Sequence, residues 1–99
     1  MKDEFIKSIG IWGQRHYEHL DRHSPTVINV MRMNGTLERY LRGIDCQAEE
    51  MLSQLVKQLA ESEGITEELK AADQMEWVRW MNSIRSRAVE IVNEELIFV

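Results

Sequence analysis

The chain has 99 residues, 43 % of them apolar and 29 % charged, and a formal net charge of −5. That length suits one domain with a thin core, since so small a chain buries little more than about 60 % of its unfolded surface, and pairing into a homodimer would extend that core. The single Cys46 excludes an internal disulfide, no run approaches the ~18 apolar residues of a membrane span, and the first ten residues lack a signal peptide's apolar stretch, so the expected place is the cytoplasm, without membrane contact.

Residues 1–8 are expected to be a frayed end. From Ile9 to His23 the spacing Ile9, Trp12/Gly13, His16/Tyr17, Leu20, His23 marks one helical face. Ser24-Pro25 ends that pattern, because proline cannot continue a helix and disfavours α conformation in the residue before it. Pro25 suits the first position of a second short helix, about Pro25 to Met33, which carries Val27, Ile28, Val30 and Met31. Asn34-Gly35 is a turn signal.

Thr36 is the expected N-cap of a long helix ending at about Ser62 or Glu63. Its stripe, Leu37, Tyr40/Leu41, Ile44, Ala48, Met51/Leu52, Leu55, Leu59, advances in steps of three and four. Gly43 inside it costs about 1 kcal/mol relative to alanine, or marks a close helix contact. Gly64 suits a left-handed C-cap. Thr66 opens a short helix, Glu67 to Ala72, and Asp73 with Glu76 three residues on resembles a capping box. The last helix runs from Gln74 to about Leu96 on the stripe Trp77, Trp80/Met81, Ile84, Ala88, Ile91/Val92, Leu96, and the apolar end Ile97-Phe98-Val99 is expected to dock.

Burying both long stripes predicts an all-α domain. Two long antiparallel helices, about 36–62 and 74–96, have two short N-terminal helices packed across them.

No enzyme signature is readable: there is no phosphate loop, no paired-glycine dinucleotide loop and no nucleophile elbow, so no catalytic residue and no cofactor are assigned. Cys46 has no histidine near it in sequence to serve as base. His16, His19 and His23 share a helical face at a spacing that would suit zinc, yet no second ligand motif accompanies them, and packing of His16 with solvation of His19 is the plainer reading. The acids from Glu61 to Glu68 lack the alternating ligands and central glycine of a calcium loop, and two helix ends explain them.

Charge is unevenly placed. Residues 1–44 hold seven Lys and Arg against five Asp and Glu, whereas residues 45–99 hold five against twelve. An acidic chain is a poor non-specific nucleic-acid binder, since phosphate contacts need clustered cations. Arg15, Arg22, Arg32, Arg39 and Arg42 form the one candidate nucleic-acid set, against the plainer reading of a charged solvent face with local pairs such as Glu38–Arg42. The short helix, Asn34-Gly35 turn and start of the long helix weakly suggest a helix-turn-helix. Trp80 lies at the flank of its stripe, which makes it a candidate anchor for a partner protein, with packing into the core the plainer reading.

The sequence also carries long ordered blocks. Ile9-Gly10-Ile11-Trp12-Gly13-Gln14-Arg15-His16 is followed by Gly43-Ile44-Asp45 with Gln47-Ala48-Glu49-Glu50. Val56-Lys57-Gln58-Leu59-Ala60-Glu61, Glu63-Gly64-Ile65-Thr66-Glu67-Glu68-Leu69-Lys70-Ala71 and Met75-Glu76-Trp77-Val78 come next. Met81-Asn82-Ser83-Ile84-Arg85-Ser86-Arg87-Ala88 and Glu95-Leu96-Ile97 complete the set. These blocks resemble the TnpV family of transposon-encoded proteins over nearly the whole chain from Ile9 onward. The resemblance implies a product of conjugative or mobilisable elements, encoded near large serine recombinases, that acts as an accessory factor in excision or transfer. It carries over no catalytic residue. Many members have a longer segment ahead of the Ile-Gly block. The expected function is therefore an accessory protein that binds DNA or the recombinase–DNA complex. The alternative is an acidic protein-binding module or inhibitor acting on a host protein such as a defence nuclease.

Overall fold

The computed structural model describes residues 3–99. After a short 3-10 helix, Glu4–Ser8, come α1 (Ile11–His23), α2 (Pro25–Asn34), α3 (Leu37–Ser62), α4 (Glu67–Ala72) and α5 (Gln74–Val92), and a π-helical turn, Asn93–Ile97, closes the chain. Among the described residues there is no strand, as the periodicities predicted.

Side-chain N-caps form at α4 and α5, but Ser24 before α2 makes none. Thr66 Oγ1 accepts from the Leu69 N–H and Asp73 Oδ1 from the Glu76 N–H. Gly64, at φ +71°, turns the chain out of α3, and the Ile65 N–H returns to the Ala60 carbonyl, closing the last turn as a left-handed cap does. Gly35, at φ +72°, does the same for α2. Thr36 precedes α3 but makes no side-chain cap. Nothing lies within 4 Å of a Cβ built on Gly43, so this glycine marks no close contact.

Two apolar clusters hold the fold. One joins Ile9, Leu20, Ile28, Leu37 and Leu41, where α1 and α2 lie against the start of α3. The other joins Trp12, Ile44, Ala48, Leu52, Ala88, Val92 and Ile97, where α3 and α5 pair beneath the carboxyl-terminal turn. Ile97 is fully buried, while Phe98 and Val99 remain exposed.

The long helices pair with an offset that their stripes do not specify. Arg87 donates to both Glu63 carboxylate oxygens, at 2.6 and 2.9 Å, and Glu63 is already the residue after α3. Most of the first half of α5 therefore runs beyond the end of α3, where α4 folds back on it and Lys70 sits 4.7 Å from the Trp77 ring centre. The buried residues of α5 are Ile84, Ala88 and Val92. Trp77 is half-buried, whereas Trp80, Val78 and Met75 are exposed. The result is a rod of 55 × 22 × 16 Å, with a radius of gyration of 17.1 Å against about 13 Å for a compact chain of this length.

Of residues 1–8, expected to fray, Glu4–Ser8 form the 3-10 helix, and the first two positions lie outside the described residues. Asp3 pairs with the Arg32 guanidinium and accepts from the Tyr17 hydroxyl at 2.8 Å, which ties the 3-10 helix to α1 and α2. Burial, with Asp3 next, pushes the Tyr17 phenol above its ordinary pKa, and the hydrogen bond to Asp3 does the same for Arg32.

Candidate functional site

The glycine–tryptophan block seats α1 on α3. Gly10 begins the helix without a side chain of its own to cap it, and Asp45 of α3 supplies the cap instead: its Oδ1 accepts from the Gly13 N–H at 3.0 Å. A Cβ on Gly10 would collide with that carboxylate, and one on Gly13 would stand 2.9 Å from the Leu41 carbonyl oxygen. Trp12, 3 % exposed, donates its indole N–H to Glu49 at 3.0 Å. The block is thus a helix–helix seat, and no open reactive group lies in it.

His16 is the second fixed point. It is 2 % exposed, with Nδ1 at 2.8 Å from the Ile97 carbonyl and Nε2 at 2.8 Å from the Tyr40 hydroxyl. A carbonyl only accepts, so Nδ1 carries the proton and Nε2 accepts from tyrosine. Burial pushes the Tyr40 phenol upward. Both ring nitrogens of His16 are engaged, so the three histidines do not converge on one point. His19 and His23 lie outside, ring centres 4.7 Å apart, with His19 also 5.5 Å from the Phe98 ring.

The structure divides the five candidate arginines. Arg32 is held by Asp3 and by Asn29 Oδ1. Arg42 pairs with Glu38 at 2.9 Å and donates to Ser8. Arg39 lies two residues after Leu37, about 200° around α3 from that buried side chain, and faces solvent on the side away from the core. Arg15 and Arg22 remain together. With Glu18, His19, His23 and Phe98 they line an open cleft of about 190 Å³ along the outer face of α1. Arg15 rests over the Trp12 ring, 5.1 Å from its centre, which fixes the guanidinium while leaving its edge to donate. Arg15, His19 and Arg22 follow one another at four and three residues, a spacing that places them on one stripe. That spacing is present in the sequence, where the arginines and the histidines read as two separate sets.

Trp80 is 42 % exposed and donates its indole N–H to Glu76 at 2.9 Å. It stands far from the α1 cleft, at the α4–α5 end of the rod.

Residues 1–97 match the family model described as transposon-encoded protein TnpV. The chain belongs to the TnpV family. No curated protein and no solved structure matches it. Membership makes it a transposon-encoded accessory protein, and no helix among the described residues is long and apolar enough to cross a membrane. For this TnpV member the Ile9–His16 block and Asp45 do one structural job, and the cationic cleft lies on the opposite, outward side of the same helix.

Proposed function

We propose that the protein is a non-enzymatic accessory component that joins the element's recombinase–DNA complex and touches the DNA backbone through the outer face of α1. The observation that supports this reading is the gathering of Arg15, His19, Arg22 and His23 on one open cleft. Seven residues of helix separate the arginines by roughly 10 Å, so they reach different phosphates. Glu18 is the opposing charge in the cleft.

The charge also limits what α1 does by itself. Phosphate contacts supply most non-specific affinity for DNA, and two permanent cations on a chain of net charge −5 supply few of them. The reading therefore assigns the remaining affinity to the recombinase. Mobility shifts with element-end DNA, with and without recombinase, test it. The chain alone is expected to shift DNA weakly and at low salt, and to add a further shift to the recombinase complex that Arg15→Ala with Arg22→Ala weakens. Absence of both shifts at low salt would overturn it. Stoichiometric capture of a host protein, indifferent to both substitutions, would favour the acidic-module alternative, for which residues 61–80 supply six acids against two bases.

A further inference from the structure

One wall of the α1 cleft is an aromatic ring that a phosphate contact does not use. Phe98 is 49 % exposed and lines the cleft with Arg15, His19, Arg22 and His23. Backbone bonds hold it there. The Ile97 carbonyl beside it meets Nδ1 of the buried His16 at 2.8 Å, and the Phe98 N–H donates to the Asn93 carbonyl at 2.8 Å. The Phe98 ring centre lies 5.5 Å from that of His19, which lies 4.7 Å from that of His23. Three planar rings therefore neighbour one another on the outside of the molecule, with Arg15 four residues before His19 and Arg22 three after it. An apolar ring among cations gains nothing from phosphate. Cations with an aromatic face beside them are what a single strand uses, its phosphates meeting the charges while its bases stack on the rings. The side of a duplex offers no such contact, because its bases keep their faces stacked on one another.

We infer that the cleft takes an unpaired stretch of DNA and not the side of a duplex. One base stacks on the Phe98 ring, the imidazoles of His19 and His23 extend that surface, and the flanking phosphates lie on Arg15 and Arg22. The inference rests on the DNA reading of α1 and narrows it to one form of the nucleic acid. Stacking tolerates any base, since each has a π-face, so the cleft has no sequence preference built into it. Glu18, in the same cleft, repels phosphate and keeps the affinity low.

Fluorescence anisotropy at low salt tests it, with the full chain added to a labelled, unstructured DNA single strand or to a blunt duplex of the same length. The single strand is expected to bind more tightly. Phe98→Ala is expected to weaken single-strand binding roughly fivefold or more, as loss of one stacked base does, and to leave duplex binding unchanged. Phe98→Trp is expected to retain it, which separates stacking from a fault in the carboxyl-terminal turn. Arg15→Ala with Arg22→Ala is expected to weaken binding of both forms. A duplex bound as tightly as the single strand would overturn the inference. So would a Phe98→Ala variant that binds the single strand like the wild type, or a Phe98→Trp variant that loses as much as Phe98→Ala. The DNA reading survives each of these results, because it depends on the arginines. A chain that binds neither form would overturn the inference too, and the shift added to the recombinase complex then decides the DNA reading by itself.

Discussion

The Gly13 backbone N–H donates to the Asp45 carboxylate across 32 residues of sequence, at 3.0 Å. This one bond caps α1, fixes where it crosses α3, and accounts for the two glycines beneath it, since side chains there would meet Asp45 or the Leu41 carbonyl.

Asp45→Ala is expected to cost about 1–2 kcal/mol, as loss of a helix cap does. In a domain of this size each kcal/mol lowers the melting temperature by roughly 4–8 °C. Gly10→Ala is expected to act in the same direction by displacing the same carboxylate, so the two losses should be less than additive. Thermal unfolding of the single and double variants checks this, and full additivity would contradict it.

His16→Ala is expected to destabilise by roughly 2–4 kcal/mol, because it opens a buried space and leaves the Ile97 carbonyl and Tyr40 hydroxyl without their partner. The carboxyl-terminal turn should loosen first. Hydrogen exchange at Ile97 and Phe98 rising before that of α3 is the expected sign.

Gly43→Ala is expected to stabilise by up to about 1 kcal/mol, since the position is helical with open space around it. Gly64→Ala is expected to destabilise by about 1 kcal/mol or more, because φ there is +71°. Denaturant midpoints distinguish the two signs.

Glu63 carries the acid sensitivity. The hydrogen bond from Arg87 holds its carboxyl below the ordinary glutamate range, and burial works the other way. A depressed folded value means that the stabilisation is present above the ordinary value and lost as pH falls through it towards the lower folded one. Partial exposure keeps the effect small. The stability difference between the wild-type chain and Glu63→Gln should therefore be present at neutral pH and vanish in acid; a difference that persists in acid would contradict it.

Much of the fold was legible because stripe and cap are local signals. The run Leu37, Leu41, Ile44, Ala48, Leu52 reads at three- and four-residue steps and is buried as read. Thr66 and Asp73 cap the helices they precede, as their chemistry predicts. What escaped the sequence depends on distant partners. A stripe gives a face but no register, so the offset fixed by Glu63 and Arg87 was hidden, and with it the exposure of Met75 and Val78. Asp3 looked like part of a loose end until Arg32 and Tyr17 met it. The candidate site was half legible: Arg15 and Arg22 stay together on one helix and Arg42 pairs locally with Glu38, while Arg32 meets Asp3 and Arg42 also meets Ser8, which lie 29 and 34 residues away in the chain.

The reading of α1 as a DNA-facing stripe rests most directly on a salt titration. Fluorescence anisotropy of labelled element-end DNA, already bound by recombinase, would follow addition of the chain at several salt concentrations. The account predicts affinity falling with salt at a logarithmic slope of about −2, the value for two phosphate contacts, and a slope near zero for the Arg15→Ala, Arg22→Ala variant. Binding with no salt dependence, or with the same slope in that variant, would contradict it.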